Sequence, residues 1–358
     1  MIKYIFIPLS ALVFLLMTFI SLTANINPNT FFWTSLIALG FPVLILINLF
    51  FCVFFLFTSK KWAVIIPVLG FVLFWGDVQK SFNISIPSTS ENEIKLMTWN
   101  VRNFDLYNWT NNEETRDNMM DLIGSVNPDI LCFQEFYTTK RGSFNNIQRI
   151  VDKVDFEDYY FGETFTLKEG FRKWGLSIFS KYPIVNAGLV NFENATRLNA
   201  FVFADLLIHN DTVRVYNMHL QSISFNESDY QFFKEVKEQP QWNSNSVKVL
   251  QKIKLSTQMR AKQALKMKAH SETFKGKIIF AGDFNEPAVT FTYKTLAKNM
   301  QDAFAKKGFG FGKTYVNPTP FLKIDHVLMD KSYKILSHKI IRKDFSDHYP
   351  VVVTFESN

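Results

Sequence analysis

Charge is almost absent from the first eighty residues and ordinary in the rest. The front carries Lys3, Lys60, Lys61, Lys80 and Asp77, which leaves 35 Lys+Arg against 31 Asp+Glu for residues 81–358. Tyr4 to Thr23 is an apolar run long enough to cross ~30 Å of hydrocarbon as a helix. Phe31 to Thr58 is a second run, interrupted by Pro42 and Asn48, and Trp62 to Trp75 is a shorter third one whose terminal Trp suits an interface. The expectation is about three transmembrane helices, near residues 4–23, 31–58 and 62–76. A cleaved signal peptide is the rival for the first run, but more apolar sequence follows it and no convincing small-residue cleavage site does.

Loop charges set the expected orientation, because Lys and Arg stay cytoplasmic. Lys3 precedes the first run, residues 24–30 carry no charge, and Lys60-Lys61 separates the second and third. Three spans place everything after residue 80 outside the cytosol, in the periplasm or the exterior; two spans would leave it inside. Residues 81–93, SFNISIPSTSENE, read as a polar linker rich in Ser, Asn and Pro.

Behind the linker the composition is that of a folded soluble domain. Charged residues are 20% of the chain, which excludes global disorder, and the two cysteines allow no disulfide scaffold or multi-cysteine zinc site. Cys132 lies in a strand pattern and reads as a small buried hydrophobe. Strand and helix signals alternate from Ile94. Apolar β-rich runs occur at 94–101, 129–135, 176–180, 199–208, 213–220, 277–285, 324–330, 334–341 and 349–355. Helical spacing marks 113–126, closed by Asn127-Pro128, and 247–273. So many strands in about 260 residues exceed what a simple alternating barrel uses, and the fold class is α/β with two packed sheets flanked by helices.

Polar residues gather at the ends of these strands, where a rigid scaffold carries sites. Asn100 ends TWN, Glu135 ends LCFQE, His219 sits in NMHL, Asp283 and Asn285 in GDFN, Asp325 in IDH, and Asp347 and His348 in SDHYPV. Each alone is a solvated terminus or a cap more often than a ligand. As an ordered set they resemble the endonuclease/exonuclease/phosphatase superfamily, whose members include enzymes like pancreatic deoxyribonuclease, exonuclease III, neutral sphingomyelinases and inositol-polyphosphate 5-phosphatases. The resemblance covers residues 94–356 and implies a four-layered α/β sandwich.

Cleaving a phosphoester needs a cation on the phosphoryl oxygens, an activated water and donors for the developing charge. The resemblance implies Mg²⁺, or Mn²⁺ in its place, with Glu135 as principal metal ligand, Asn100 beside it and Asp347 as a further ligand, direct or through water. It makes His348 the phosphate contact or general base, Asp325 its partner, and Asp283 with Asn285 the pair that orients water and a phosphoryl oxygen. Which of Asp283 and His348 is the base stays open. His219 matches a second histidine that binds phosphate or protonates the leaving oxygen.

Two positions depart from the DNA-repair members. His326 follows Asp325 where Tyr is frequent, and Arg102 stands where an acid is expected. Both, like the apolar front, weaken a repair role. Arg172-Lys173 is a candidate for holding substrate phosphate or a solvated charged loop. The insertion 223–246, with Phe225, Tyr230, Phe232, Phe233 and Trp242, reads as a substrate lid, a membrane-touching loop or a locally packed segment. The net +4 of the back half makes no nucleic-acid stripe.

The expected function is a membrane-anchored, metal-dependent phosphoesterase acting on nucleic acid, a phospholipid head group or a small phosphate ester. The alternative is a catalytically silent binding module on the same fold, which would be betrayed by a lost metal or base residue.

Overall fold

The computed structural model of the chain describes residues 2–193, 198–223, 244–316 and 321–357. The front holds α1 (Ile2–Thr23), α2 (Trp33–Ala38), α3 (Phe41–Leu56), α4 (Ile65–Leu73) and α5 (Trp75–Ser81). Then come β1 (Asn83–Ile84), β2 (Glu93–Asn100), α6 (Thr115–Val126), β3 (Ile130–Thr139), α7 (Asn146–Lys153), β4 (Asp158–Leu167), β5 (Arg172–Ser180), β6 (Ile184–Asn191), β7 (Ala200–Ile208) and β8 (Asp211–His219). The chain finishes with α8 (Ser244–Glu272), β9 (Lys277–Asp283), α9 (Phe291–Ala297), β10 (Met300–Asp302), α10 (Ala303–Lys307), β11 (Phe309–Gly310), β12 (Asp325–Asp330), β13 (Lys334–Ile340) and β14 (Val351–Glu356).

Most strands are apolar on both faces, so both faces must be covered. Two six-stranded sheets achieve this, ordered β13-β14-β2-β3-β5-β4 and β10-β12-β9-β8-β7-β6. Their inner faces share one core, in which Leu96, Cys132 and Ile178 of the first sheet join Val202, Val215 and Ile279 of the second. The outer face of the first sheet packs Trp99 and Phe133 on α6 and α7, through Met119, Ile123 and Ile150. The outer face of the second packs Tyr216 and Phe280 on α8 and α9, through Met267 and Tyr293. The order helix, sheet, sheet, helix agrees with the sandwich expected from the strand pattern. α6 ends where Asn127 adopts φ 47°, donating its N–H to Ile123 O, so the Asn-Pro stop operates as a left-handed cap.

Each sheet has one parallel pair near its middle, β2 with β3 and β8 with β9, and antiparallel neighbours on both sides. The four parallel strands end on the same edge of the sandwich, where β12 and β14 begin. That edge therefore collects residues from six strands.

The front corrects the expectation of about three transmembrane helices. Among the described residues only one helix, Ile5–Thr23, is long and apolar enough to cross a membrane alone. The second run is broken at Leu39-Gly40, and α3 that follows has 16 residues, about 24 Å of helix. The third bends by 73° between α4 and α5. Hydropathy counts apolar residues, whereas a span also needs an unbroken helix; Gly40 and Pro42 interrupt one run and Phe74, with φ −109°, the other. The multi-pass topology, and with it the three-span argument for a catalytic domain outside the cytosol, loses its basis. The segment 81–93 is pinned rather than slack: the Asn83 amide donates to Phe304 O and Ala305 O, Ser85 N to Gly308 O, and Ser88 N to Leu336 O.

Beneath the second sheet lies a polar core. Lys323 and Asp302 pair at 3.6 Å, Asp302 also caps α10, and His326 and His338 are buried nearby. Burial, with help from the Lys323 charge, pushes His326 down to about 4 and His338 down to about 3. A depressed histidine is neutral in the fold while its unfolded counterpart takes up a proton near pH 6.5, so stability falls as pH drops below that value. Each should remove about 2 kcal/mol between pH 8 and pH 5. Urea unfolding of His338→Gln in detergent should show a pH 8-to-5 loss smaller than wild type by about that amount; an unchanged loss would refute the assignment.

Candidate active site

Three deviations from regular strand bring the polar residues to the shared edge. The first is a bulge in β3 between Phe133 and Phe136. Both rings are fully buried in the same cluster, a spacing of three that a regular strand cannot give. Glu135 absorbs the mismatch by adopting φ 50°, and its carboxylate turns to the edge. The second is Gly282 at φ 137°, where a Cβ would lie 2.3 Å from Met218 O. Only glycine lets β9 approach β8 this closely before Asp283. The third is the run Arg102–Asp105, four consecutive residues with φ between 43° and 58°. It follows β2 after Val101 and is held by buried Phe104, packed edge-on against Phe133 and Phe136. Left-handed non-glycine residues cost energy, and tight packing retains them at sites.

The site is assembled across the two sheets. The Asn100 amide donates to Glu135 Oε1 and to Asp283 Oδ2, both at 3.2 Å. His219 Nε2 faces the same two oxygens at 3.6 Å, and His348 Nε2 faces Asp283 Oδ2 at 3.6 Å. His348 Nδ1 bonds Asp325 Oδ2 at 2.9 Å, a contact that crosses from one sheet to the other. The Asn285 N–H donates to Asp283 Oδ1, and its side-chain amide to Leu220 O. Asp347 stands at the rim, 3.5 Å from Arg102 Nε, with Ser346 Oγ donating to Asn100 O. Asn100, Glu135, His219, Asp283, Asn285, Asp325 and His348 thus meet in one cluster, with Asp347 at its mouth.

Arg172 and Lys173 are not brought there. Lys173 pairs with Glu163 at 2.6 Å, Arg172 is exposed at the start of β5, and neither touches the cluster among the described contacts. Most of the aromatic insertion, 224–243, lies outside the described residues.

Charge separates the roles of the buried groups. Burial alone would push His348 down, but the Asp325 and Asp283 carboxylates overcome it and hold the ring well above its ordinary range. It is therefore an imidazolium at neutral pH. Asp283 is pushed up to about 6, mainly by burial and further by Asp325, against the pull of His348 and His219. His219 Nδ1 meets Leu198 O at 3.1 Å, and a carbonyl only accepts, so Nδ1 carries a hydrogen. Its neutral form then turns the bare Nε2 toward two carboxylates, an arrangement that calls for a proton or a cation between them.

The donor set fits a hard divalent cation. Four carboxylates share the edge, and Glu135 and Asp347 keep 23% and 30% side-chain exposure, which suits an ion that retains several waters. Asp283, Asp325 and His348 also place one ligand atom each within 4.8 Å of one another. That trio is a poorer cage, because His348 Nδ1 is committed to Asp325 and the protonated ring offers no lone pair.

Several supporting residues carry no signal that singles them out in the sequence. Gln134 Nε2 donates to Thr98 Oγ1 and, at 2.6 Å, to Asn217 Oδ1; Asn217 in turn donates to Phe133 O and Ser177 O. This amide bridge joins the sheets just below Glu135. Thr314 Oγ1 receives the N–H groups of Ile324 and Asp325. Buried Arg260 binds Glu286 at 2.7 Å and Gln221 O at 2.7 Å, bracing the loop after Asp283.

Comparison with known proteins agrees with this geometry. The family model described as Endonuclease/Exonuclease/phosphatase family matches residues 97–348, and a domain-of-unknown-function family matches residues 3–81. No curated protein sequence matches. An endonuclease/exonuclease/phosphatase from Beutenbergia cavernae is similar in structure at 15% identity and TM-score 0.54, covering 75% of this chain and 72% of its own. A family protein from Bacteroides thetaiotaomicron gives 14% and 0.54, with 75% and 100% covered. TDP2 of D. rerio, complexed with a single-strand DNA product, gives 16% and 0.51, again with 75% and 100% covered. At these identities the likeness is one of fold.

Asp325→Asn removes the charge that does most to hold His348 protonated. Nitrogen-detected NMR of the metal-free protein should find the His348 ring titrating at lower pH in the variant. An unmoved titration would mean that Asp325 does not set the charge of this ring.

Proposed function

The chain belongs to the endonuclease/exonuclease/phosphatase family, and on that premise we propose that it is a divalent-metal-dependent phosphodiesterase held at a membrane by its N-terminal helix. The family generally hydrolyses phosphate esters. The observation that carries the reading is the meeting of Asn100 and Glu135 from one sheet with His219 and Asp283 from the other, closed by the Asp325–His348 pair.

Glu135, with Asn100 beside it and Asp347 at the rim, would hold Mg²⁺ or Mn²⁺. For Asn100 this requires the amide oxygen, which now accepts the Arg102 N–H at 3.1 Å, to face the ion. The bound ion would draw electron density from a phosphoryl oxygen. His348, kept protonated by its two carboxylates, is a fixed positive donor for a second phosphoryl oxygen. That charge also argues against His348 as the base. Asp283, poised near pH 6, is suited to take a proton from water, since a base works best when its pKa lies near the operating pH. The Asn285 N–H holds Asp283 Oδ1 and leaves Oδ2 toward the site. Water oxygen joins phosphorus, one ester P–O bond breaks, Asp283 accepts the water proton, and the departing oxygen takes the Nε2 proton of His219, a step that requires His219 to enter with both ring nitrogens protonated.

Anchoring rests on α1, whose Ile5–Thr23 stretch is about 28 Å of apolar helix and matches the hydrocarbon thickness.

The full chain in detergent should hydrolyse bis-p-nitrophenyl phosphate with Mg²⁺ or Mn²⁺ and stop when the metal is chelated. Glu135→Gln should reduce kcat by about 10²-fold or more and weaken Mg²⁺ binding measured by calorimetry. No turnover with either metal, or Glu135→Gln equal to wild type, would leave the silent-module alternative standing.

A further inference from the structure

The loop that carries Asp283 and Asn285 does not end in solvent. Four residues beyond Asn285, Val289 is buried in the apolar core of the N-terminal helices, in one cluster with Met17, Ile20, Phe41 and Val78. The next helix is fastened to the same unit. Lys294 of α9 donates to Ser21 O in the last turn of α1 at 2.7 Å and faces Asp77 of α5 at 3.9 Å. The loop after α1 is tied to α8, where Gln258 donates to Pro28 O and Asn29 donates to Gln258 O. Arg260, which braces Glu286, lies only two residues beyond Gln258 on α8.

A polar route runs beside the apolar one. Lys80 of α5 lies over the Tyr293 ring at 5.9 Å, and that ring meets His326 at 4.9 Å. His326 bonds Glu286 O and neighbours Asp325 in the chain. The catalytic edge and the N-terminal unit are therefore packed as one body, without a free tether between them.

Depth follows from this contact. Leu15 and Leu22 of α1, Phe50 of α3 and Val72 of α4 are all more than half exposed, an outward surface suited to lipid. Phe6 packs on Phe54 of α3 and Phe14 on Phe74, the residue that joins α4 to α5, so α3 and the end of α4 lie against α1. If α1 spans the hydrocarbon, its last turn, with Ser21 and Lys294, lies at head-group level. Asn285 is four residues from Val289, a reach of at most about 14 Å. The polar zone beside the hydrocarbon is itself some 5–8 Å deep on each face.

We propose that the phosphodiester hydrolysed at this site is the head group of a membrane lipid, taken from the bilayer that holds α1, and that Val289 and Lys294 position the Asp283–Thr290 loop for it. This rests on the phosphodiesterase reading above and adds to it the substrate class. The reaction is unchanged: water adds at the lipid phosphorus and one of its two ester bonds breaks.

The test uses the full chain reconstituted with Mg²⁺ into vesicles of phosphatidylethanolamine, phosphatidylglycerol and phosphatidylcholine. Phosphorus NMR follows lipid hydrolysis; bis-p-nitrophenyl phosphate and single-stranded DNA are assayed beside it. Lipid in the protein's own vesicle should be hydrolysed at least about tenfold faster than lipid supplied in protein-free vesicles, and DNA should stay intact. Lys294→Met, and separately Val289→Ala, should speed hydrogen exchange at the 284–290 amides and lower lipid kcat by about tenfold with KM little changed. Hydrolysis of the soluble diester or DNA with all three lipids untouched overturns the lipid assignment and leaves the phosphodiesterase reading intact. Failure on every substrate, the soluble diester included, overturns both. Exchange and kcat at wild-type values in both variants overturn the positioning role of the contact.

Discussion

The edge that gathers the candidate site exists only while two sheets keep a fixed offset, and a buried amide pair sets that offset. Gln134 in the first sheet and Asn217 in the second bond at 2.6 Å, and Asn217 ties itself to two carbonyls of the opposite sheet. Apolar packing between sheets is non-directional and tolerates sliding by a side-chain width. Hydrogen bonds tolerate far less, and an unmade one in the interior costs about 1–3 kcal/mol. The bridge lies one residue from Glu135 and two from His219, so a slip of the sheets would part Glu135, His219 and Asp283 before it disturbed the core. Gln134 Oε1 goes without a partner among the described atoms, so register is kept at some expense in stability.

Charge is arranged on the same plan. Asp283 is enclosed where a carboxylate is poorly solvated, and the Asp325–His348 pair, also buried, supplies the compensating cation. Both halves of that pair come from strands that start at the catalytic edge, one in each sheet. The electrostatic contact therefore reinforces the register that the amides impose, and the neutral-pH charge of His348 depends on both sheets being present.

The strands that carry the site were legible as apolar runs ending in polar residues. Asn100, Glu135, His219, Asp283 and Asp325 each sit within two residues of where such a run stops or starts. Gln134 and Asn217 were visible only as polar interruptions, because nothing local says that they face each other across 83 residues. The β3 bulge was hidden for the same reason: it exists because two phenylalanines share a core whose other walls come from α6 and β5. Strands β4 and β6 lack a clean alternation, being partly exposed at the sheet ends, and were not foreseen. The three apolar runs of the front misled in the opposite direction, since composition reports affinity for lipid but not the helix breaks at Gly40 and Phe74.

A tethered enzyme and a docked one obey different constraints. On a slack linker of a dozen residues, a catalytic domain would sample every height and orientation its chain allowed, and its loops would have to be stable without the anchor. Here the segment after α5 is bonded to α10 and β13, and α9 grips the end of α1. The loop that holds Asp283 borrows part of its packing from the apolar front through Val289. Changes in the layer around the N-terminal helices therefore have a direct mechanical path to the group that would accept the proton from water. Cutting the chain at residue 90 would remove more than a run of apolar helices: it would uncover Val289 and take Ser21 and Asp77 away from Lys294.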